Sequence, residues 1–341
     1  MRQPELLARI ARTDSKGIKS LQGMYDTSTN LWLGAKWWED ATILNTMITE
    51  MAIKHTTSYD GDVTETFSHY SNTKFSDGRY IGQHTDDMGW WLQTWIKAYD
   101  YFRQNEYLKM GEEIFGQMAK SWSGKCGGGI WWDAANRTYK NAISNELFLD
   151  GALKLYERTG NKYYLAWARR EYGWFMHSGL INRQYLVNDG LNKKCKNNGE
   201  YTWTYTQGGL IQSLVDASHV FHRGYYLKLA QKVADANDRL NVDSHGILYE
   251  KGCEPSNSCS TNGTQFKGIY MQSLANLYFS NHNPADKAFI LKNAGAIIAH
   301  DQENGKIGVH WDGPFANHNA STQSSGLDSL NAAILVKSVR H

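Results

Sequence analysis

Proline is scarce in this chain, at 4 of 341 residues, so long helices can run without interruption. No apolar run approaches the roughly 18 residues that a membrane span needs, which excludes an integral membrane protein. The N-terminus lacks a hydrophobic signal core, and the C-terminus lacks the spacer and apolar tail of a lipid-anchor signal. If the protein is secreted, we expect that its signal has already been removed.

The chain also lacks an excess of either positively or negatively charged residues. The sequence has 36 Lys and Arg against 34 Asp and Glu, a net charge of +2, and it has no basic stripe. This balance does not provide the basic surface that typically binds nucleic acid. Aromatic residues are abundant, with 13 Trp, 20 Tyr and 11 Phe, and 41% of the chain is hydrophobic, which is enough for a folded core.

The four cysteines form no CxxC pair and accompany no histidine cluster, so we expect no metal and no cofactor. Three disulfide pairings are open, and we favour Cys126–Cys195 and Cys253–Cys259 because both members of each pair fall in predicted loops. Disulfides indicate an oxidising compartment and therefore a secreted, extracellular protein. Glycosylation sequons agree with this location, and their asparagines are Asn136, Asn262 and Asn319.

Helical periodicity defines about eleven long segments, and strand-like alternation is nearly absent. The predicted helices cover residues 5–26, 37–57, 86–103, 105–121, 140–159, 161–180, 203–222, 224–241, 263–281, 284–301 and 321–339. Long loops rich in Gly, Asn and Trp precede the segments that start near 86, 140, 203, 263 and 321. A helical hairpin therefore repeats about every 57 residues and fits six times into the chain. The acidic stretch 60–65 is predicted to be a solvated loop.

Such hairpins bury their apolar faces only against their neighbours. We predict one all-α domain over residues 1–341, a closed (α/α)6 barrel, because small residues on the helices after the long loops permit a crowded inner ring. They are Gly89, Gly151, Gly208, Gly209, Gly268 and Gly326. The predicted inner ring comprises 5–26, 86–103, 140–159, 203–222, 263–281 and 321–339, with one outer helix missing or short. An array without closure is the alternative. In the ring, the long loops share one face, where we expect the active-site cleft.

Two adjacent carboxylates, Asp86 and Asp87, begin the helix 86–103. Acidic residues commonly cap first turns, so the pair alone also has a structural explanation. Loops expected on the same face add Trp131, Trp132 and Asp133, and the tryptophans follow three glycines, where core packing explains them less well. Aromatic faces beside carboxylates suit sugar rings. Nearby, His84 is interpreted as structural or solvated, and Glu146 as a helix cap in preference to a third catalytic acid.

Because the two aspartates are adjacent in the sequence, both the distance between their carboxyl groups and their pKa values are constrained. Neighbouring Cα atoms are about 3.8 Å apart, so the carboxyl groups can lie roughly 5–5.5 Å apart, the separation found in retaining glycosidases. Two close carboxylates also push their pKa values apart, so that one stays protonated while the other ionises.

The segment Thr85–Tyr99 resembles the double-aspartate signature of the glycoside hydrolase family 76 α-1,6-mannanases. Four further motifs resemble that family in the same order, namely Gly127–Asp133 with Lys140–Glu146, Tyr201–Gly208, Gln265–Gly268 and Trp311–Phe315. The resemblance runs over about residues 15–335. It implies an (α/α)6 barrel that hydrolyses α-1,6-mannosidic bonds with retention, with Asp86 as nucleophile and Asp87 as acid/base.

The resemblance also implies substrate contacts at Trp90, Asp189, Tyr205 and Lys267. Further substrate-binding candidates are Trp131, Trp132, Asp133, Asn145 and Gln207. The sequence thus predicts a secreted, monomeric, retaining endo-α-1,6-mannanase that binds α-1,6-mannan or a mannan-type oligosaccharide, without a nucleic-acid or membrane partner. A cell-wall mannan transglycosylase and a non-catalytic mannan-binding protein are alternatives. An enzyme for uronic acid polymers is less favoured because the predicted cleft loops lack an arginine cluster.

Overall fold

Twelve α-helices build the part of the chain that the computed structural model describes, residues 3–71 and 80–338. They are α1 (Gln3–Gln22), α2 (Trp37–Lys54), α3 (Asp60–Ser71), α4 (Thr85–Phe102), α5 (Asn105–Ala119), α6 (Ala142–Thr159), α7 (Lys162–His177), α8 (Thr204–Phe221), α9 (Tyr225–Leu240), α10 (Thr261–Asn281), α11 (Pro284–His300) and α12 (Ala320–Ser338). The eleven predicted helices are all present. Residue 339, the predicted end of the last one, lies outside the described residues.

Short strands pair in the loops between the helices. Three antiparallel pairs of two-residue strands are β1 (Tyr25–Asp26) with β2 (Leu31–Trp32), β3 (Lys140–Asn141) with β4 (Gly190–Leu191), and β5 (Gln302–Glu303) with β6 (Lys306–Ile307). The pair β3–β4 joins the loop before α6 to the loop before α8. The other two pairs each close a hairpin within a single loop, and the strands build no central sheet in the described part of the chain.

Six helices form a closed ring in the order α2, α4, α6, α8, α10 and α12, and α12 packs on α2 to close it. The alternate helices α5, α7, α9 and α11 pack outside the ring, as does α1 against α11 and α12. Helix α12 is buried without a break from Ala320 to Ala333, as expected for a helix covered on all sides. The predicted (α/α)6 barrel is confirmed.

The assignment of the first two helices to the two rings was wrong. Helix α2 (37–54) is an inner helix and α1 is an outer one. The burial patterns explain the difference, because α1 alternates buried positions such as Ile10, Ile18 and Leu21 with exposed ones, whereas α2 is buried at almost every position from Trp38 to Met51. A single apolar stripe is typical of a helix with one face in solvent.

The outer helix expected to be missing is the twelve-residue α3, so the prediction of a solvated loop at 60–65 was wrong. Asp60 and Asp62 lie in the first turn of this helix, where carboxylates interact favourably with the helix dipole. Val63, Thr66 and Phe67 are buried. The acidic residues are therefore those of a helix start, and the apolar ones attach α3 to the core.

Close helix approach depends on glycine at two points of the inner ring. A Cβ atom at Gly208 would lie 2.9 Å from Tyr270 Cα, and one at Gly268 would lie 2.6 Å from Ser325 Cα. Because both obstacles are backbone atoms, a larger residue at either position requires α8, α10 or α12 to move. The predicted use of small residues in a crowded inner ring is confirmed at these contacts.

The loops before the inner helices contact one another around one face of the ring. A backbone bridge joins His84 to Asp133, and the His310 ring lies 3.3 Å from the Glu254 carboxylate. The disulfide Cys126–Cys195 links the loop before α6 to the loop before α8, and Cys253–Cys259 closes a turn before α10, so both predicted pairings are confirmed. None of the helices in the described ranges has the length and apolar character that crossing a bilayer requires.

Candidate active site

The start of α4 is fixed by the loop before α6. The backbone N–H of Thr85 donates to the Trp132 carbonyl at 2.9 Å, and its hydroxyl donates to the Trp131 carbonyl at 2.7 Å. Thr85 is fully buried, whereas Asp86 and Asp87, the next two residues, are partly accessible to solvent. The loop thus holds the first turn of α4 so that both carboxyl groups lie at the long-loop face.

Two N–H groups hold the Asp86 carboxylate. The indole Nε1 of Trp132 donates to Oδ2 at 2.9 Å, and the backbone N–H of Asp87 donates to Oδ1 at 3.0 Å. Burial raises the pKa of Asp86 to about 6, and the bond from Trp132 is the largest influence in the opposite direction. At neutral pH the ionised form of Asp86 is therefore favoured.

The Asp87 carboxyl group is in a different environment. Burial raises its pKa to about 8, with further increases from the negative charges of Asp86 and Glu39, while Lys36 lowers it. At neutral pH the protonated form of Asp87 is therefore favoured beside Asp86. Adjacent carboxyl groups with opposite protonation are the arrangement that a nucleophile and an acid require.

Aromatic rings from four inner helices lie beside the pair. Trp90 stacks with Tyr205 at 6.3 Å between ring centroids and lies 5.6 Å from Trp38, and Tyr205 stacks on Phe266 at 3.8 Å. Trp90 is only 8% exposed, while Tyr205 is partly exposed. The four rings provide an apolar surface next to the acids, and Tyr205 is the most accessible of them.

The three candidates on the loop before α6 have different environments. Trp132 is half-buried, stacks on His84 at 4.6 Å and contacts Asp86. Trp131 is buried, with the Lys140 ammonium 4.6 Å from its ring centroid. Asp133 accepts the backbone N–H groups of residues 135 and 136, each at 2.8 Å, and these bonds hold its pKa well below the usual range. Of the three, Trp132 is the one that contacts the aspartate pair.

Two predicted substrate-binding amides are instead engaged within the protein. Asn145 is fully buried, accepts the Ile130 N–H at 2.8 Å and donates to the Asn141 carbonyl at 2.8 Å. Gln207 is fully buried and bonds both backbone groups of Val187, at 2.8 and 2.9 Å. Both amides thus position loops and present no accessible polar edge, which argues against direct contact with a substrate.

Lys267, another predicted substrate contact, is likewise engaged within the protein. It is 1% exposed, and its ammonium lies 2.7 Å from the Glu254 carboxylate and 2.6 Å from the Val309 carbonyl. The same ammonium lies 4.7 Å from the Trp311 ring centroid. The Lys267 side chain therefore has a structural role, because its contacts join helix α10 to the loop that precedes it and to the loop that precedes α12.

Asp189 and Tyr205 remain accessible beside the pair. Asp189 is partly exposed, accepts a hydrogen bond from the Tyr139 hydroxyl, and has a pKa raised mainly by burial.

Glu146 is not the predicted cap, because α6 begins at Ala142 and Glu146 is fully buried in its second turn. Burial raises the pKa of Glu146 well above its usual range.

The sequence did not reveal Glu39 as part of the site. This fully buried carboxylate accepts the Lys36 N–H at 2.7 Å and the Ser321 hydroxyl at 3.0 Å, and its charge raises the pKa of Asp87. The sequence feature that could have identified Glu39 is a tryptophan pair followed by two acidic residues at a helix start, at positions 37–40. It was missed because this helix was assigned to the outer ring.

The predicted glycosylation sites differ in their surroundings. Asn136 is exposed, and Asn319 is partly exposed. Asn262 accepts hydrogen bonds from the Trp38 indole at 2.9 Å and from the Lys36 ammonium at 3.1 Å. Its side chain is therefore part of the wall beside Glu39, although Nδ2, where a glycan attaches, makes neither of these bonds.

A three-residue cluster that has the chemistry of a metal site lies in a separate loop pocket. Asp243, His245 and Asp312 each place one potential ligand atom within 4.8 Å of the others. His245 Nδ1 lies 2.6 Å from Asp312 Oδ2, and its side chain is largely exposed. The aspartate pair of α4 does not line this pocket, so the cluster takes no part in the arrangement around Asp86.

The chain is similar in sequence to yeast proteins named mannan endo-1,6-alpha-mannosidase DCW1. It is 27% identical to the Candida glabrata protein over 309 residues, which is 82% of this chain and 68% of that protein. It is also 27% identical to the Candida albicans protein over 179 residues, 49% of this chain and 40% of that protein. The chain thus spans two fifths to two thirds of these curated relatives.

The fold is similar to that of the GH76A alpha-1,6-mannanase from Salegentibacter sp. HEL1_6, with a TM-score of 0.83, 22% identity, and coverage of 97% of this chain and 99% of that one. An inactive variant of that enzyme with two consecutive aspartates replaced by asparagine, in complex with α-1,6-mannotriose, matches with a TM-score of 0.82 at 21% identity, over the same shares of the two chains. A model described as glycosyl hydrolase family 76 matches residues 11–339. Because this match covers nearly the whole chain, the protein belongs to glycosyl hydrolase family 76.

Proposed function

We propose that this chain is a single-domain retaining endo-α-1,6-mannanase. The observation that carries the proposal is the placement of two neighbouring, partly accessible carboxyl groups in different surroundings, since Asp86 accepts the Trp132 indole N–H while burial and adjacent negative charge raise the pKa of Asp87. Family membership and the names of its relatives supply the substrate class. The inactivity of the double-aspartate variant in the mannanase of similar fold supports the choice of catalytic pair.

The proposed reaction has two steps. Asp86 attacks the anomeric carbon of a mannosyl unit, and Asp87 donates its proton to the departing glycosidic oxygen. Asp87, now ionised, takes a proton from water, which attacks the anomeric carbon and releases the sugar from Asp86. The second inversion restores the original anomeric configuration, and the proton returned to Asp87 prepares the pair for another cycle.

Sugar binding is proposed to use the accessible groups around the pair. The Trp132 ring, the Tyr205 ring and the Asp189 carboxylate lie at the long-loop face and are partly exposed. Aromatic faces cover the apolar C–H patches of a pyranose, and a carboxylate accepts hydrogen bonds from its hydroxyls. Trp90 stacks with Tyr205 within the aromatic cluster and so helps to hold the Tyr205 ring in place.

Incubation with linear α-1,6-mannan, followed by product sizing and NMR analysis of the newly formed anomer, tests this proposal. We expect mid-chain cleavage and α-configured products, with release of reducing ends lost in Asp86→Asn and in Asp87→Asn while the circular dichroism spectrum is retained. Full activity in either variant, or β-configured initial products, would overturn it. Binding of mannan without cleavage would instead identify a carbohydrate-binding protein.

An added mannobiose acceptor distinguishes hydrolysis from transglycosylation. Both reactions pass through the same mannosyl–Asp86 ester, and they differ in whether water or a sugar hydroxyl attacks it. We expect hydrolysis products to predominate at low acceptor concentration. Products longer than the starting oligosaccharide, formed in preference to reducing ends, would assign the chain as a transglycosylase.

We further propose that the protein is secreted, glycosylated and monomeric. Two disulfides support an oxidising compartment, and the exposed sequon at Asn136 is accessible for modification. Expression in a eukaryotic secretory host, endoglycosidase treatment and light scattering test these points. An unchanged mass after deglycosylation would exclude glycans at all three sequons.

A further inference from the structure

A groove of about 550 Å³ lies outside the ring, between α7 and the loop that precedes α6. Its basic side chains are Arg169, Arg170 and His177, and its aromatic walls are Trp122 and Trp174. Among the described residues, no acidic side chain lines the groove. On a chain with a net charge of only +2, this concentration of basic groups is a local feature.

The two arginines have unused hydrogen-bonding capacity. The Arg170 guanidinium lies 4.3 Å from the Trp122 ring centroid and 5.0 Å from that of Trp167, and Arg169 lies 5.4 Å from the Phe221 ring centroid. Both arginines are exposed, and neither forms an ion pair with a carboxylate among residues 3–71 and 80–338. Because guanidinium N–H groups point outward in the plane of the group, contact with an aromatic face leaves them available to a ligand.

The opposite wall of the groove is held rigidly. The Lys140 ammonium donates to the carbonyls of Ser123 at 3.0 Å and Lys125 at 2.5 Å, and also to that of Gly128. The Trp174 indole donates to the Cys126 carbonyl at 2.9 Å, and Cys126 is disulfide-bonded. A ligand would therefore meet a pre-formed surface, which reduces the entropy cost of binding.

We propose that this groove is a second, non-catalytic site that binds a glycan through an oxyanion substituent, either a phosphate or a carboxylate. Two unpaired guanidinium groups match the geometry of such anions, and the edges of Trp122 and Trp174 offer apolar contact to the sugar that carries them. The loop that forms the groove also carries Trp132, the partner of Asp86. The inference rests on the proposed function only in taking a glycan as the carrier of the anion.

Titration of ¹⁵N-labelled protein with four probes tests the proposal, with indole N–H signals as the readout. The probes are methyl mannoside 6-phosphate, methyl glucuronide, methyl mannoside and inorganic phosphate. We expect at least one charged glycoside to bind about tenfold or more tightly than methyl mannoside and than phosphate alone, because hydrogen bonds to charged groups are the strong ones. Comparison of the two charged probes distinguishes phosphate from carboxylate. The binding should weaken as salt rises.

The variant Arg169→Ala/Arg170→Ala should lose about tenfold or more of this affinity, and Arg170→Lys should lose part of it because lysine keeps the charge without the planar fork. Arg239→Ala, at an exposed arginine near the end of α9, is the matched control. Equal binding of neutral and charged glycosides, binding of phosphate alone as tightly as the glycoside, or an equal loss in the control would overturn the proposal. Failure of the unchanged protein to cleave mannan would overturn the proposed enzyme function and leave this result standing.

Discussion

The indole N–H of Trp132 lies 2.9 Å from the Asp86 carboxylate and couples the loop before α6 to the first turn of α4. An N–H donor stabilises the ionised form of the carboxylate that accepts it. The Asp87 carboxyl accepts no such bond from the described residues and lies near the negative charges of Asp86 and Glu39. The different roles proposed for the two aspartates therefore follow from their neighbours, although the residues themselves are identical.

Replacement of Trp132 by Phe removes this donor. We expect the pKa of Asp86 to rise, so that the low-pH limb of kcat/KM, which should report ionisation of this proposed nucleophile, moves upward by about one pH unit. We expect this limb near pH 6 in the unchanged protein, because burial raises the pKa of Asp86 to about 6. A pH profile on linear α-1,6-mannan between pH 4 and 9 measures the change.

Trp95→Phe on the same helix is the matched control, because the buried Trp95 indole N–H has no hydrogen-bond partner among the residues that the structure describes. Its thermal stability is expected to fall through loss of packing, with the pH profile unchanged. A Trp132→Phe profile identical to that of the unchanged protein would show that the indole N–H does not control the ionisation of Asp86.

The high-pH limb of the profile should respond to Glu39. In the proposed mechanism the first step requires protonated Asp87, so activity should fall as pH rises through its pKa, which is raised to about 8. Glu39→Gln removes one of the negative charges that raise this pKa, so the high-pH limb should move downward by about half a pH unit. The low-pH limb should stay in place.

Movement of both limbs by the same amount would argue against a specific effect on Asp87. Glu65→Gln provides the control, because Glu65 is an exposed acid on the outer helix α3. Circular dichroism separates a change in protonation from a loss of fold, since Glu39 also bonds Ser321 across the closure between α2 and α12.

Periodicity was sufficient to locate the long helices, and the spacing of long loops was sufficient to predict a sixfold ring. The order of the rings was harder to infer, because an inner helix of this barrel is not uniformly apolar. Helix α2 buries Glu39, Asp40 and Glu50, and a sequence pattern with buried acids resembles that of a helix exposed to solvent. Helix α3 was missed for a related reason, since its first-turn aspartates have the composition of a loop.

For the site, sequence motifs identified residues near the cleft better than they identified what each residue does. Trp132 and Lys267 both lie in motifs shared with the family, but the indole of one contacts Asp86 while the ammonium of the other is buried against Glu254. Spacing along the chain does not reveal which way a side chain points. The distinction depends on loop packing that involves residues more than forty positions apart, such as Lys267 and Val309.

Lys267→Met tests the reassignment of this residue. Removal of the ammonium leaves the buried Glu254 carboxylate without its cation, and we expect a loss of about 3–5 kcal/mol in the free energy of unfolding. The double variant Lys267→Met/Glu254→Gln should recover part of this loss because no uncompensated charge remains. Urea unfolding measures both. A raised KM with unchanged stability would instead indicate a direct contact with substrate.

The two disulfides should contribute unequally to stability. Loop-closure entropy grows with the length of the loop, and Cys126–Cys195 spans 69 positions whereas Cys253–Cys259 spans 6. We expect Cys126→Ser/Cys195→Ser to lose about 4 kcal/mol and Cys253→Ser/Cys259→Ser about 2 kcal/mol, measured by urea unfolding. The first pair also holds the loop that carries Trp132, so its loss should lower kcat/KM at temperatures where the protein is still folded. An equal loss of stability in both variants would show that local packing, and not loop length, determines their contribution.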